Sequence, residues 1–173
     1  MHDRKGYGCR QGDNVVSAGN QQERLNSYWI SGFVDGEGCF HVAINKLPKM
    51  TLGYQVLPEF RVAQHKRDLK VLKEIQRTLK VGVVRKNHED IYELRVRSLE
   101  ELNKLVAFFE RFPLKTKKKS DFELFTEVVQ LMNEGAHLTE QGIKKIAQKA
   151  SEMNRKTERV MFRIPRDYTP DAR

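Results

Sequence analysis

Hydrophobic residues follow no regular spacing in the first 26 positions and become periodic from residue 27. The opening segment carries Gly6, Gly8, Gly12 and Gly19 among Asn, Gln and Arg, with Val15-Val16 as its apolar pair. Such a stretch cannot bury enough apolar surface to order itself, so residues 1–26 are expected to form a polar arm whose Arg4, Lys5, Arg10 and Arg24 are solvated. Ser27 then stands as a helix cap before Trp29, Ile30, Phe33 and Val34, which are expected to face a core. Strict alternation follows, with Phe40, Val42 and Ile44 on one side and Cys39, His41, Ala43 and Asn45 on the other, the pattern of a half-buried strand. A second alternating run sets Val56, Pro58, Phe60 and Val62 against Leu57, Glu59, Arg61 and Ala63, with Pro58 predicting irregularity or an open side there.

Helical spacing returns at Leu69, Leu72, Ile75 and Leu79, with Asp68 as the expected cap and Val81-Gly82 as the end. Val83 to Lys86 and Ile91 to Arg97 then form two strands around the polar turn Asn87-His88-Glu89-Asp90. Ser98-Leu99-Glu100-Glu101 is a capping box, opening a helix with Leu102, Leu105, Val106, Phe109 and Phe112 on one side and ended by Pro113. Two further helices are expected over 121–133 and, capped by Thr139, over 140–154. The order helix, strand, strand, helix, strand, strand, helix predicts an α+β domain over 27–154, with an αββαββα core plus C-terminal helices. Its antiparallel sheet has four strands, with helices on one face and polar groups on the other. Residues 155–173, basic and containing Pro165 and Pro170, are expected to be a tail.

Charge changes the picture next. The 173 residues hold 32 Lys and Arg against 23 Asp and Glu, a net charge of +9 that favours a polyanionic partner, nucleic acid first. Cys9 and Cys39 show no paired spacing, which excludes a disulfide framework and fits a reducing compartment. No run approaches the roughly 18 apolar residues of a membrane span and no apolar signal core opens the chain, so a soluble intracellular protein is expected. The histidines, at 2, 41, 65, 88 and 137, lack zinc spacing, and no Gly-rich phosphate loop or serine triad is present.

The chemistry concentrates in Tyr28-Trp29-Ile30-Ser31-Gly32-Phe33-Val34-Asp35-Gly36-Glu37-Gly38. Gly32 and Gly36, four apart, stack on one helix face and leave a groove shallow enough for a second backbone. Two such helices side by side bring two Glu37 carboxylates together, and paired carboxylates near a phosphodiester hold divalent cations. The sequence has one copy, so a symmetric homodimer with its active site on the two-fold axis is expected.

Trp29 to Gly38 resembles the LAGLIDADG motif, and over 27–154 the chain is similar to single-motif LAGLIDADG homing endonucleases in element order as well. Ser31 stands where that family often has Ala, and Glu37 where many members have Asp. The resemblance implies that the sheet enters the DNA major groove while Trp29, Gly32, Phe33 and Gly36 build the dimer interface. It makes Glu37 the catalytic ligand of Mg2+, with the Gly36 carbonyl completing the shell and Asp35 as a rival. It matches Gln64 to a position that orients water and Lys117 to a basic residue near the scissile phosphate, with Lys115 and Lys119 as alternatives. Strand phase selects His41, Asn45, Arg61, Arg85, Asn87, Glu93 and Arg95 as DNA-contacting residues, since Arg pairs with guanine and Asn with adenine. Arg67 approaches from the loop before the second helix.

The implied activity is site-specific hydrolysis of double-stranded DNA by an intron-encoded homodimer, at a long pseudo-palindromic site cut to leave 3′ overhangs. Three alternatives use the same features: an intron RNA maturase, a non-catalytic DNA-binding regulator, and a protein that uses the glycine helix only to dimerise.

Overall fold

The structure is a computed structural model that describes residues 24–153. Its elements run α1 (Ser27–Glu37), β1 (Gly38–Lys46), β2 (Tyr54–His65), α2 (Leu69–Leu79), β3 (Val83–His88), β4 (Ile91–Val96), α3 (Leu99–Arg111), α4 (Lys118–Asn133) and α5 (Glu140–Glu152). The strands form one antiparallel sheet in the order β1-β2-β4-β3, the α+β arrangement expected from the alternation. The expected C-terminal tail, and all but the last three residues of the expected N-terminal arm, lie outside the described residues.

Apolar positions of period two on the strands and of helical period on α1 to α5 meet on one side of the sheet. Phe40 of β1 is the hub, its ring centroid 5.1 to 5.9 Å from those of Phe60, Phe109, Phe122 and Phe125. Ile30 and Val34 of α1, Leu72 and Ile75 of α2, Leu102 and Leu105 of α3, and Ile143 and Ile146 of α5 complete the buried cluster. Aromatic rings supply large buried area per residue and prefer such tilted and edge contacts, so Phe40 fixes how α3 and α4 lie on the sheet.

Several local expectations are corrected. Asn26 rather than Ser27 caps α1, its side-chain oxygen accepting from the amides of Tyr28 at 2.8 Å and Trp29 at 3.3 Å. Asp68 precedes α2 but makes no side-chain cap, because it closes a 3-10 turn, Lys66–Asp68, and its carboxylate pairs with Arg67 instead. Pro58 is buried within an unbroken β2, opposite Val42 of β1. The β2–β4 ladder begins only at Phe60, so proline falls where β2 has a single neighbour and one edge without a partner strand, a place where a strand tolerates it. The lysine-rich stretch begins α4 at Lys118, three residues before the expected start. Ser98 and Thr139 cap α3 and α5 as expected, accepting from the amides of Glu101 and Gly142.

Ser31 has a task that its small size alone did not reveal. It is buried, and its hydroxyl donates to the Phe112 carbonyl at 2.7 Å, tying α1 to the end of α3. Tyr28 reinforces the tie with an edge contact to the Phe112 ring, centroids 5.2 Å apart. Ser31→Ala should therefore lower the unfolding free energy by about 1 kcal/mol, the usual net worth of such a bond, measured by urea denaturation with an unchanged slope.

Candidate active site and nucleic-acid interface

Helix α1 has two apolar faces. Ile30, Ser31 and Val34 point into the core, whereas Trp29 is 44% exposed and stacks on Phe33 with centroids 5.1 Å apart. Trp29 was expected to face the core, and the structure places it outside. Ideal side-chain carbons built on Gly32 and Gly36 meet nothing within 4 Å, so both glycines open onto free space in the single chain. Positions 29, 32, 33 and 36 follow the i, i+3, i+4, i+7 spacing of a helix seam, and this seam holds the four residues expected at the dimer interface.

The same helix ends at the candidate catalytic carboxylate. Glu37 is its last residue, exposed, and has no hydrogen-bond or ion-pair partner among the described residues. The partial negative charge of a helix C-terminus adds to its own, making the spot attractive to cations. Gly38, which follows, is held by close approach: a side-chain carbon there would lie 2.6 Å from Val34 Cγ1 and 2.8 Å from the Val34 carbonyl oxygen. Helix and strand thus join without an intervening residue, and Glu37 is fixed between two packed elements.

Asp35 belongs to the scaffold of this corner. Its Oδ2 accepts from the Lys115 amide at 2.6 Å and its Oδ1 from the Thr116 hydroxyl at 2.8 Å, so it binds the loop between α3 and α4. Metal binding by Asp35 would have to give up these bonds. The loop in turn delivers Lys118, whose ammonium donates to the carbonyls of Gly36, at 3.3 Å, and of Gly38. One cation thereby bridges the carbonyls that flank Glu37 in sequence, oxygens that a helix end leaves without intrahelical donors.

Lys118 is the residue that sequence reasoning missed. Lys117 occupies the cap position of α4 and is exposed, Lys115 takes part through its backbone, and Lys119 pairs with Glu123 at 3.7 Å. A start of α4 at 118, with helical phase counted from there, is the signal that separates the four lysines. Gln64 lies at the penultimate position of β2, two residues beyond Val62, the partner of Gly38, and so on the helix side of the sheet where α1 enters β1. Arg67 is exposed on the 3-10 turn beside Asp68. No hydrogen bond or ion pair joins Gln64, Arg67 or Lys117 to Glu37 within the chain, and no group of three His, Cys, Asp or Glu gathers as a metal site among the described residues. One chain offers one free carboxylate, beside a Gly36 carbonyl that shares Lys118 and keeps a second lone pair, fewer oxygens than a divalent cation takes.

The sheet face turned away from the helices carries the expected polar residues. Register places His41 opposite Glu59, Arg61 opposite both Cys39 and Arg95, and Arg85 opposite Glu93. Asn45, Arg61, Arg85 and Asn87 are exposed. Glu93 and Glu59 are not: they are 2% and 6% exposed. The Arg85 guanidinium contacts Glu93 at 2.7 Å, Arg95 reaches Glu93 at 3.7 Å and Glu59 at 3.6 Å, and Arg97 also pairs with Glu59. Five charges of alternating sign therefore run across three strands.

Comparison with known proteins decides the family. A family profile described as LAGLIDADG endonuclease matches residues 30–129, from the second turn of α1 into α4. The chain belongs to the LAGLIDADG endonuclease family. A curated relative, probable intron-encoded endonuclease 3 of Neurospora crassa, is 35% identical over 137 residues, covering 78% of this chain and 26% of its own. The chain thus spans about a quarter of that relative's length. Among solved structures, the homing endonuclease I-TnaI superposes with a TM-score of 0.74 at 51% identity, covering 78% of this chain and 92% of its own. The LAGLIDADG homing endonuclease I-SmaMI, solved with cleaved DNA, matches at 33% identity and a TM-score of 0.74, over 76% of this chain and 44% of its own. The four-stranded antiparallel sheet with its helices is the LAGLIDADG fold. No helix among the described residues is long and apolar enough to cross a membrane.

The Asp35 tie makes a direct prediction. Asp35→Ala should cost roughly 1–2 kcal/mol of stability, since the lost bonds are charge-assisted but partly solvated. Amide hydrogen exchange at Lys115 and Thr116 should accelerate while exchange in β2 stays slow.

Proposed function

We propose that this LAGLIDADG chain is a site-specific, divalent-metal-dependent endonuclease of double-stranded DNA, acting as a homodimer on a pseudo-palindromic site with Mg2+ as the working cation. The observation that carries the reading is the unpartnered Glu37 carboxylate at the end of a helix whose Trp29–Gly36 seam is open. A second copy docked along that seam would set two Glu37 side chains, each with its Gly36 carbonyl, across the two-fold axis. These are the groups that would hold the cations, which when bound acidify water and neutralise charge developing on the phosphate.

The chain's own residues do the rest. Gln64, at the strand end beside this corner, orients the attacking water, and Lys117, exposed at the cap of α4, steadies the charge on the scissile phosphate. Lys118 keeps the Gly36-Glu37-Gly38 backbone in place from below. The sheet face provides the DNA-contacting surface, with Arg61, Asn45 and Asn87 exposed for base edges and His41, Arg85, Arg95 and the loop residue Arg67 beside them. Relatives described as intron-encoded or as solved on DNA support this assignment. So does the solved complex of I-SmaMI with uncleaved target in the presence of calcium ions, which supports a divalent cation. An intron-encoded enzyme leaving 3′ overhangs, active wherever its target DNA resides, is the form of the proposal.

Sequencing the cut ends of a randomised duplex library in Mg2+ tests it. Wild type should yield one pseudo-palindromic site with 3′ overhangs, and Glu37→Gln should cut that site about a hundredfold more slowly or worse. Selective retention without cutting would favour a DNA-binding regulator, and the absence of both cutting and selective retention would favour an intron RNA partner. The dimer is tested separately by Gly32→Leu. Because a Cβ at Gly32 would meet nothing within 4 Å in the single chain, the variant should fold normally yet sediment as a monomer.

A further inference from the structure

Two carboxylates lie in the middle of a surface that, on the reading above, meets a polyanion. Contact with phosphate would repel them, and neither can reach far, since Glu93 is 2% and Glu59 6% exposed. Burying a carboxylate is costly unless cations and hydrogen bonds compensate. Here each has two arginines: Glu93 is contacted by Arg85 Nε at 2.8 Å and Nη2 at 2.7 Å and lies 3.7 Å from Arg95, while Glu59 lies 3.6 Å from Arg95 and pairs with Arg97. Arg61, on the same face, makes no such bond among the described residues.

We infer that Glu59 and Glu93 are positioning residues for base recognition: they hold the guanidinium groups of Arg85, Arg95 and Arg97 in fixed poses, so that these arginines discriminate between bases rather than simply attract phosphate. An arginine with free rotamers gains from any nearby anion, whereas one whose Nε edge is held by a buried carboxylate, as in Arg85 and Arg97, presents its remaining N–H groups in one direction, which is what paired hydrogen bonding to a guanine edge requires; Arg95 is held more loosely, between two ion pairs of 3.6 and 3.7 Å. Glu93, expected at first to touch DNA itself, acts instead through Arg85 and Arg95. Arg95 belongs to both carboxylates, so the two are coupled. Arg61 is the counter-case, a loose cation whose contribution is independent of either glutamate.

The inference rests on the DNA-binding reading, and the experiment separates the two. Wild type, Glu93→Gln, Glu59→Gln and the double variant are each bound to a randomised duplex library in Ca2+, and the retained sequences and total retention at low salt are compared with thermal unfolding of the free proteins. Positioning predicts that each variant loses about tenfold of its preference at a subset of base pairs and keeps it elsewhere, with total retention unchanged or increased because a negative charge has gone. The double variant should lose less than the sum of the singles at the pairs that depend on Arg95. If the unfolding temperature falls while every base preference stays as in wild type, the carboxylates only support the fold and the inference is overturned. Should a Gln variant fail to fold, Glu93→Asp and Glu59→Asp keep the charge but shorten the reach, and altered preference at the same pairs is again expected, with unaltered preference overturning the inference. A wild-type protein with no base preference at all overturns the DNA-endonuclease reading, and this inference with it.

Discussion

The whole candidate site hangs on the exchange of hydrogen bonds between the end of α1 and the start of α4, segments some 80 residues apart in sequence. Asp35 accepts from the loop, and Lys118 donates back to the Gly36 and Gly38 carbonyls. The two contacts run in opposite senses, so each backbone segment is held by a side chain of the other. Glu37 sits between them and is tied to neither. A reactive carboxylate needs that combination, a backbone fixed from two directions and a side chain left free. The Gly38 amide, donating to the Val34 carbonyl, closes the helix end as well.

Above this corner the fold is a rigid platform because its two faces have different chemistry. Phe40 and its neighbouring rings lock the helices to one face. On the other, charges of alternating sign link β2, β3 and β4. The hydrophobic side holds the helices, and the charged side determines what a ligand meets. Both are anchored by the long β1–β2 hairpin, which runs from the site, at Gly38 and Val62, to Lys46 and Tyr54 at its far end.

Period-two alternation made the four strands and their faces readable from sequence, because a strand's side chains have only two directions to choose from. The same alternation says nothing of depth. Glu59 and Glu93 were placed on the correct face but not recognised as buried, since burial came from arginines on neighbouring strands whose pairing is a property of the sheet order. Trp29 misleads for a related reason: an apolar residue on the outer side of a helix has the same sequence signature as one on its core side, and only packing tells them apart. The start of α4 was read late because Lys117, Lys118 and Lys119 carry no cap signal. Its position follows from Asp35 and Thr116, a long-range contact with no local trace.

The open seam of α1 has an evolutionary side. If two copies pair along that seam, as proposed, every residue of the sheet face is used twice, once on each half of the target. A substitution that weakens discrimination tenfold on one half weakens it about a hundredfold over the whole, because free energies from separate half-sites add. Drift toward a less symmetric target is therefore penalised doubly at each step. A lineage that joined two copies into one chain would be released from that constraint, since each half could then change alone while the Gly32 and Gly36 contact stayed the same.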